Sequence, residues 1–583
     1  MANSITENID LCSNGEQILS LLSQTDEEIF SGSELSKEVK SDGIENDLSI
    51  LNRIINLSVL IGDQVGLQLK NPNQRFKIIL SGCGTSGRLA YLCSQTFSHY
   101  IKSKLKEINY DLCDSIIAGD EYALVNSVEA VEDKPNIGAE KLKNILDQHP
   151  NSVCVFIGIT CGLSAPFVAG QIDHCLKDPR VVGFSLIGFN PVEMTRKTHA
   201  INKENENFYD LMKRIINLEE KKNFFLLNPI IGPEPITGST RMKSGTATKI
   251  ILDLILTKTI GNLFNEDISC QNLVNFYKKA KQCVYSDKVS AKIGDIIDKS
   301  ADALRHLDNG GSINYFSSSE RLGLLCCVDA SECMPTYGSS KKDIKGFLEM
   351  SSFMDEQWTG FYKNCQSVWS TNITENLDDF KSDKSLFIFV QEKNHQSEIE
   401  KILADQTSCQ MSKINLSKSK PNLSKRIQVL NFENLDQIFD QAEQNVGVYF
   451  KKCLEEFVLK LVLNAISTGA HVLYGKTYKN IMIDVRVSNI KLYWRAVGIL
   501  EKFCHLTRED CERFLLKSIY KGVEAKNEID DHVQCASPQQ FVVPTALLMA
   551  LTECDYSEAK KLLYESKNSI RNCIFTIKNS LEK

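Results

Sequence analysis

Compact runs of apolar residues recur along the first half of the chain without alternating with polar residues. The clearest are FKIIL at 76–80, VCVFIGI at 153–159 and VVGFSLIGF at 181–189. Runs of this length, rich in β-branched residues, are typical of strands buried on both faces, as in a parallel sheet. Segments with helical patterning lie between them, including 89–106 and 165–176. The pattern therefore predicts a doubly wound α/β domain with right-handed crossovers.

A weaker copy of this pattern follows in the second half of the chain. INYF at 313–316 leads into SSSERLGLL, and SLFIFV at 385–390 follows after a long irregular stretch. SSSERLGLL is similar to GTSGRLAYL of the first unit, but it lacks the glycines of the first half of that segment. The similarity predicts an internal duplication of one α/β domain, with a second copy that has diverged.

The two ends of the chain lack strand-like runs. The N-terminal part is polar and rich in Ser, Glu and Asp, which indicates an arm or a lid element. The C-terminal part contains helical stretches such as FVLKLVLNAIS, KLYWRAVGILEKF and PTALLMAL. We therefore predict an arm or part of a lid at 1–45, a first domain at 46–266, a diverged second domain at 267–460 and a helical lid at 461–583.

Composition and charge narrow the class of function. The chain has 583 residues, is 42% apolar and carries a net charge of -7, which fits several domains and predicts no broad basic face for nucleic acid. Its 20 cysteines are scattered, with no CxxC pair, which favours buried thiols in a reducing compartment over disulfides or zinc sites. The N-terminus has no apolar signal region, and no run of apolar residues is long enough to predict a membrane span. We expect a soluble intracellular protein without a metal or cofactor.

Small and hydroxyl-bearing residues follow two of the apolar runs. The glycine loop, GCGTSGRLA at 82–90, carries Thr85 and Ser86, and the threonine loop, GITCGLSAP at 158–166, carries Thr160 and Ser164. Because parallel strands deliver their loops to one edge of the sheet, both loops are expected to line one crevice. Hydroxyl donors and the free N–H groups of a helix start suit a phosphate monoester. A tight turn with N-capping hydroxyls is the alternative for either loop alone.

A third stretch, GPEPITGSTRMKSGTATK, again places small hydroxyls at the start of a helix. Ser239 and Thr240 precede Arg241 and Lys243, and the two cations are expected to pair with acids or to lie near a bound anion. This stretch resembles the signature that glucokinase regulatory proteins share with bacterial N-acetylmuramic acid 6-phosphate etherases. Both groups of proteins are built on the sugar isomerase (SIS) domain.

The resemblance to the regulators extends over nearly the whole chain. AGDEYALVNSVEAVED, STGAHVLYGK and DVRVSNIKLYWRA are each similar to segments of the regulators. The etherases have one SIS domain per chain, whereas the regulators have two in tandem and a helical lid. The resemblance therefore implies two tandem SIS domains, each a flavodoxin-like, doubly wound parallel sheet, with an α-helical C-terminal lid.

The resemblance also implies a regulatory function rather than catalysis. The regulators bind fructose 6-phosphate or fructose 1-phosphate in their first SIS domain; with fructose 6-phosphate they inhibit glucokinase, and fructose 1-phosphate relieves the inhibition. We accordingly expect this chain to bind these sugar phosphates and to inhibit a glucokinase or hexokinase. A cytoplasmic location is expected, and relatives also hold their kinase in the nucleus.

Matching the motifs position by position implies which residues bind the ligand. The phosphate is assigned to small residues of the glycine and threonine loops, the pocket wall to the third stretch, and the sugar hydroxyls to carboxylates, with one lysine from the lid. These residues are Thr85, Ser86, Thr160, Cys161, Gly162, Ser164, Ser239, Thr240, Glu132, Glu332 and Lys476. Without the motifs, the two glutamates and the lysine would each be interpreted as solvated surface charges.

The chain departs from the regulators at several positions. Thr160 stands where the regulators have Ser, and Pro335 where they have His. The surrounding ECMPTYG is closer to the ECPPTFG of the etherases. Residues 415–428, which would help to dock the kinase, match poorly. The sugar-phosphate site therefore carries over better than the kinase contact does.

Two alternatives follow from these departures. The first is a lyase acting on N-acetylmuramate 6-phosphate, for which Glu132 and Glu332 would have to meet across the domain interface. Against it, Thr96 stands where the etherases have a catalytic carboxylate, and a hydroxyl is no base near neutral pH. The second is a sugar-phosphate sensor without a kinase partner. We predict no catalytic residue.

Overall fold

The structure is a computed structural model of the chain. It describes residues 2–31, 35, 49–71, 73–126, 128, 131–149, 151–197, 200–202, 204–217, 223–317, 319–348, 382–391, 410–416, 427–431, 435–487, 490–523 and 529–581.

Five parallel strands form the first sheet. They are β1 (Arg75–Gly82), β2 (Cys113–Ile117), β3 (Ser152–Ile159), β4 (Val181–Ile187) and β5 (Phe224–Leu227). The spatial order is β2-β1-β3-β4-β5. The strands β2 and β3 therefore lie on opposite sides of β1, and the strand order changes direction at β1. Most residues of β1 and β3 are buried, as the compact apolar runs predict.

Helices cover both faces of this sheet. Among the described residues, the helices up to the end of this domain are α1 (Gly15–Glu27), α2 (Ile50–Lys70), α3 (Gly84–Lys104), α4 (Pro135–Asp147), α5 (Pro166–Cys175), α6 (Phe208–Ile216) and α7 (Lys243–Phe264). Helices α2, α3 and α7 share the main hydrophobic core of the molecule. Helices α4, α5 and α6 form a separate core on the opposite face. The first domain is therefore a three-layer α/β structure.

The second sheet repeats the topology of the first. Its elements are α8 (Cys270–Val284), α9 (Asp287–Arg305), β6 (Ile313–Ser317), α10 (Glu320–Tyr337), β7 (Ile344–Leu348), β8 (Leu386–Gln391), β9 (Gln410–Asn415), β10 (Ile427–Asn431), α11 (Leu435–Asn445) and α12 (Val448–Leu473). The strands are parallel, in the order β10-β9-β8-β6-β7. Counted from its own first strand, this is the order of the first sheet, which confirms the predicted pair of doubly wound domains.

Helix α12 runs through the centre of the molecule. It packs against helices of both domains, including α7, α9 and α10. Among the described residues it is the one helix with the length and apolar content to cross a membrane, but 94% of its most apolar stretch is buried within this chain. Its apolar character is therefore accounted for by its place in the core.

A third unit follows at the C-terminal end. The short hairpin β11 (Thr477–Tyr478) and β12 (Ile481–Met482) leads into a series of helices. They are α13 (Ile490–Cys504), α14 (Arg508–Ile519), α15 (Ile529–Ala536), α16 (Val542–Thr552), α17 (Tyr556–Glu565) and α18 (Ile570–Leu581). These helices enclose their own hydrophobic core, as expected for a helical lid.

The N-terminal part is packed more tightly than an arm would be. Ile18, Leu19 and Leu22 on one face of α1 are buried in the main core, where α1 lies against α9 and α12. The segment before α1 is tied down by polar contacts: the Thr6 hydroxyl donates to the Pro235 carbonyl at 2.6 Å. The reason is the helical spacing of these few apolar residues, which gives α1 one buried side despite its polar composition. The exact domain boundaries at 46–266, 267–460 and 461–583 stay predictions.

The cysteines of the described residues are all free thiols, and most of them are buried. In the same part of the chain, no group of His, Cys, Asp and Glu side chains has the arrangement of a metal site.

Candidate functional site

The glycine loop brings the start of α3 close to the end of β1. Gly84 has φ +51°, a left-handed conformation that side chains disfavour. A Cβ atom on Gly87 would lie 2.6 Å from the Gly82 carbonyl oxygen, so only glycine permits this approach. Cys83, at the N-cap position, makes no side-chain hydrogen bond to the helix. The positive end of α3 is therefore directed at the edge of the sheet without a capping side chain.

Thr85 and Ser86 lie within the first turn of α3 rather than at its cap. The Ser86 hydroxyl lies 3.4 Å from the Cys161 sulfur of the threonine loop, so the loops after β1 and β3 meet, as the parallel topology predicts. Burial raises the pKa of the Cys161 thiol to about 11, although the Ser86 hydroxyl opposes this shift. The thiol is therefore neutral near pH 7 and is no nucleophile there.

The threonine loop is fixed by its own side chain. Thr160 Oγ1 accepts hydrogen bonds from the backbone N–H groups of Ser164 at 3.1 Å and Ala165 at 3.3 Å. These bonds hold the turn that precedes α5 but do not cap the helix itself, whose N-cap residue, Ala165, makes no side-chain capping hydrogen bond. A hydroxyl that accepts hydrogen bonds still has its own proton to donate to a ligand.

The serine segment, residues 237–242, forms a third wall. The Ser239 hydroxyl oxygen is buried and has no hydrogen-bond partner in the described part of the chain. Glu234 caps the following helix by accepting from the N–H groups of Lys243 and Ser244, both at 2.9 Å. Burial raises the pKa of this carboxyl group. An unsatisfied buried hydroxyl is costly, and this one lines the cavity described below, so the predicted ligand-binding role of Ser239 stays a prediction that its position allows.

The cations of the third stretch bind acidic residues, which was one of the two expectations for them. Arg241 forms an ion pair with Asp329 of the second domain at 2.9 Å. Lys243 is buried and pairs with Glu28 of the N-terminal segment. Both ion pairs link separate parts of the molecule: Arg241 braces the interface between the two domains, and Lys243 ties the N-terminal segment to the first domain.

Two carboxylates approach the glycine loop from different domains. A Cβ atom on Gly84 would lie 3.7 Å from Glu132 Oε1, so this carboxylate is adjacent to the start of α3. Glu332, on α10 of the second domain, is buried and forms an ion pair with Arg88 of α3. The site is therefore composed of residues from both domains.

A cavity of about 350 Å³ unites these parts. This volume suits a small ligand. The predicted residues that line it are Thr85, Ser86, Glu132, Thr160, Cys161, Gly162, Ser164, Ser239, Thr240 and Glu332. The lid adds Met482 and Arg495 to the lining. The cavity thus lies between the first domain, the second domain and the lid.

Lys476 is placed differently from the other predicted site residues. It is buried, it forms an ion pair with Asp484, and its ammonium group lies 4.2 Å from the centre of the Phe541 ring. Lys476 is not among the described residues that line the cavity. A ligand-binding role for Lys476 stays a prediction, and in this structure its charge is neutralised within the lid.

Several lining residues were missed by the sequence analysis, among them Arg88, Asn126, Met482 and Arg495. Arg88 lies inside the glycine loop, and Arg495 lies inside KLYWRA, so both belong to segments that resemble the regulators. The signal that could have identified these two arginines is a basic residue within a segment that resembles the family. Asn126 lies inside AGDEYALVNSVEAVED, which also resembles the regulators, whereas nothing in the local sequence marks Met482.

The chemistry of the lining suits binding better than catalysis. Hydroxyl groups and a helix N-terminus can hold a phosphate monoester, and carboxylates can accept hydrogen bonds from sugar hydroxyls. Thr96, at the place of an etherase carboxylate, lies outside the described cavity lining and its hydroxyl is 3.3 Å from Glu456 Oε1. Burial, with the neighbouring carboxylates, raises the pKa of Cys83 far above its usual range, so this thiol also stays protonated.

Family models match three successive parts of the chain. The glucokinase regulatory protein N-terminal SIS domain matches residues 60–176. The second SIS domain of glucokinase regulatory protein matches residues 287–474. The C-terminal lid domain of glucokinase regulatory protein matches residues 479–574. The two SIS domains and the lid predicted from the resemblance are therefore confirmed.

Curated relatives give the same result over nearly the full length. The glucokinase regulatory protein of Xenopus laevis is 31% identical over 615 residues, covering 98% of this chain and 92% of the relative. That of Homo sapiens is 32% identical over 592 residues, covering 96% and 89%. The N-acetylmuramic acid 6-phosphate etherase of Clostridium acetobutylicum is 31% identical over 256 residues, covering 42% of this chain and 70% of the etherase.

Solved structures with a similar arrangement were also found. One is the C-terminal domain of glucosamine-fructose-6-phosphate aminotransferase from Francisella tularensis, with a TM-score of 0.41, 11% identity, and coverage of 79% of this chain and 97% of that one. Another is tagatose-6-phosphate ketose/aldose isomerase from Escherichia coli, with a TM-score of 0.37, 10% identity, and coverage of 74% and 94%.

The etherase accounts for less than half of this chain, whereas the regulators account for nearly all of it, including the lid. The chain belongs to the glucokinase regulatory protein family.

Proposed function

We propose that this chain binds a phosphorylated ketohexose, fructose 6-phosphate or fructose 1-phosphate, and inhibits a glucokinase or hexokinase in a ligand-dependent way. The observation that carries the proposal is the cavity, in which two hydroxyl-bearing loops, the serine segment and two carboxylates converge. The regulatory function is what the names of the full-length relatives describe for those proteins.

The phosphate group is proposed to lie at the start of α3. Thr85 and Ser86 supply hydroxyl donors there, and the helix N-terminus adds backbone N–H groups and a partial positive charge. The buried Ser239 hydroxyl supplies a further donor that has no partner in the described residues. A hydrogen bond to a charged phosphate is worth about 1.5–3 kcal/mol, so a few of them give micromolar affinity for a small ligand.

The sugar is proposed to lie between the two carboxylates. Glu132 approaches from the first domain and Glu332 from the second. Carboxylate oxygens accept hydrogen bonds from sugar hydroxyls, and such acceptors distinguish one hydroxyl arrangement from another. Fructose 6-phosphate and fructose 1-phosphate present different hydroxyls when the phosphate is held in the same place, so they would contact the second domain differently.

This difference provides a route to regulation. A ligand that contacts two domains and the lid shifts their relative arrangement by as much as its affinity differs between arrangements. A kinase that recognises one arrangement would then be bound with one ligand and released with the other. Most of residues 415–428, which would help to dock the kinase, lie outside the described residues.

The proposal is tested in two steps. Isothermal titration calorimetry of the purified chain with fructose 6-phosphate, fructose 1-phosphate and free fructose should give binding for the phosphates alone. A glucokinase activity assay should then show inhibition by the chain that increases with fructose 6-phosphate and decreases with fructose 1-phosphate. Binding without any effect on the kinase would favour the alternative, a sugar-phosphate sensor without a kinase partner. If neither phosphate binds, the proposal is contradicted.

The location is proposed to be cytoplasmic, with the nucleus as a second compartment. The support is the number of free thiols, which suits a reducing compartment. Imaging of the tagged protein in its own cells would test this.

A lyase acting on N-acetylmuramate 6-phosphate is the second candidate, and one observation favours it. Glu132 and Glu332 line the same cavity, which is the arrangement that the sequence required for such a lyase. Against it, Glu332 is ion-paired with Arg88. A coupled assay for D-lactate release from this substrate decides between the two: turnover that is lost in Glu132→Gln would establish the lyase, and no turnover is expected.

A further inference from the structure

Three arginines line the cavity in the described part of the chain: Arg88, Arg241 and Arg495. A phosphate dianion entering this space would meet the carboxylates Glu132 and Glu332 as well. Two like charges near one another disfavour binding unless a cation offsets them. The availability of each guanidinium group therefore decides how the ligand charge is balanced.

Arg88 is fully used within the protein. Its Nε donates to the carbonyls of Ala123 at 3.0 Å and Leu124 at 2.9 Å. Its Nη2 donates to the Asn126 carbonyl at 2.8 Å, and its Nη1 forms the ion pair with Glu332. It is also buried, with 2% of its surface exposed. This guanidinium has little freedom to turn to a ligand, because moving it would leave buried partners unsatisfied.

Arg241 is used in the same way. Its Nη1 pairs with Asp329 at 2.9 Å, and its Nη2 donates to Ser467 at 3.1 Å and Thr468 at 2.9 Å. Its guanidinium also lies 5.5 Å from the centre of the Tyr337 ring. Its role is to join the serine segment to α10 and α12.

Arg495 differs from both. It lies on α13 of the lid, its side chain is exposed, and among the described residues it has no hydrogen bond, ion pair or ring contact. A planar guanidinium suits two oxygens of a phosphate, and an exposed one can reorient without breaking internal contacts. Of the three arginines, it alone combines access to the cavity with an unused charge.

We propose that Arg495 is the lid residue that binds the anionic group of the sugar phosphate. This inference rests on the proposed function, and it adds which lid residue senses the ligand. Because Arg495 is carried by α13, its contact with the ligand links occupancy of the cavity to the position of the lid. A neutral sugar would fill the same cavity without engaging it.

The test compares Arg495→Gln with Arg495→Lys and Lys502→Gln. Lys502 is an exposed cation on the same helix but outside the described cavity lining, so its variant makes the same change in net charge. By calorimetry, Arg495→Gln should bind fructose 6-phosphate about fivefold to tenfold more weakly than the parent chain, since the contact is partly exposed. Arg495→Lys should recover most of this loss, and Lys502→Gln should bind like the parent chain.

Two readouts separate a ligand contact from a structural role. Added KCl should weaken binding to the parent chain more steeply than binding to Arg495→Gln, because one charge contact is missing in the variant. Fructose 6-phosphate should slow amide hydrogen exchange in residues 490–504 of the parent chain and do so less in the variant. Unliganded melting temperatures should agree, because Arg495 makes no internal contact to lose among the described residues.

The failures of the two proposals can be told apart. If the parent chain does not bind fructose 6-phosphate, the proposed function fails and this inference falls with it. If the parent chain binds and Arg495→Gln binds equally well with the same salt dependence, the inference alone is overturned. A weakened Arg495→Gln with unchanged salt dependence and no recovery in Arg495→Lys would assign the residue to packing and would also overturn it.

Discussion

The two parallel sheets of this molecule have the same topology, but the turn between the first strand and the helix that follows it differs between them. In the first domain the turn after β1 opens into a cavity, and its helix begins two residues after the strand ends, at Gly84. In the second domain the helix α10 begins three residues after β6 ends, at Glu320. Glu320 stands at the place of Gly87, where any side chain would clash in the first domain. The glycines, rather than the fold, permit the close approach.

The polar groups of the second turn bond to each other. Ser317 Oγ accepts from the Ser319 N–H at 3.1 Å and donates to the Ser319 carbonyl at 3.2 Å. These serines stand where the first domain has Gly84 and Ser86. A hydroxyl that is already bonded to its own loop has less to offer a ligand. The duplication has therefore kept hydroxyl residues at this turn while changing what they bond.

The arginine of the motif is retained in both copies and used for structure in both. Arg88 bonds backbone carbonyls and Glu332, whereas Arg321 pairs with Glu455 at 2.7 Å and with Glu456 at 3.3 Å on α12. Each guanidinium connects its helix to another part of the molecule. The comparison separates two roles within one motif: the glycines permit the close approach of strand and helix at the cavity, and the arginine serves assembly.

The largest effect is expected from removing the second arginine. Arg321→Met should lower the free energy of unfolding by about 3 kcal/mol, because Glu455 and the fully buried Glu456 lose a counter-charge. Urea denaturation followed by circular dichroism measures this. The control, Arg513→Met, removes an exposed pair with Asp510 and should change stability by less than about 1 kcal/mol. Affinity for fructose 6-phosphate should stay unchanged, and a parallel loss of affinity would contradict the separation of roles.

A smaller effect is expected from the hydroxyl of the first turn. Ser86→Ala should weaken fructose 6-phosphate binding by about 1–3 kcal/mol without unfolding the protein, because one donor to the phosphate is lost. Calorimetry gives the affinity and a thermal melt the stability. Ser319→Ala, the matched change in the second domain, should leave the affinity as it is. Equal affinities of the parent chain, Ser86→Ala and Ser319→Ala for fructose 6-phosphate would show that the Ser86 hydroxyl does not bind the ligand.

The smallest effect is the contribution of Lys460, on the central helix α12, to the pH dependence of stability. Burial and the neighbouring Arg241 lower the pKa of Lys460 on α12 from 10.5 to about 8. Between these two values the unfolded chain holds a proton that the folded chain has released, so stability rises with pH there. From pH 7.5 to 9 this residue should add about 1 kcal/mol, measured by urea denaturation.

Lys460→Met provides the comparison for this pH dependence. The variant lacks the titrating group, so its stability should rise less than that of the parent chain over the same pH range. Identical slopes for the two proteins would show that the buried ammonium group keeps its ordinary pKa.

Much of the fold was predictable because strands buried on both faces leave compact apolar runs. FKIIL, VCVFIGI and SLFIFV each coincide with a strand of the structure. The N-terminal segment was harder, because the few apolar residues of α1 are diluted by polar neighbours. Its partners on α9 and α12 are hundreds of residues away, and local composition carries no record of them.

The meeting of the glycine and threonine loops was predictable, since they follow β1 and β3, which are neighbouring strands of one parallel sheet. Lys476, which the motifs assign to the site, is not among the described residues that line the cavity, and its ligand-binding role stays a prediction. Its position in the chain is close to the lid residues of the cavity, but Asp484, eight residues further on, takes up its charge. Arg495 shows the converse, because only the packing of α13 against the rest of the molecule brings it to the cavity.

The polar contacts of the N-terminal segment have a consequence for biosynthesis. The Asn3 carbonyl accepts from the Asn480 side chain at 2.8 Å, and the Asp10 carboxylate accepts from the Lys479 N–H at 2.8 Å and pairs with Arg571 at 2.9 Å. On the ribosome, residues 3–10 emerge long before these partners do. Residues 3–10 therefore cannot make these contacts until Lys479, Asn480 and Arg571 have been synthesised, so this segment docks late in the folding of the chain.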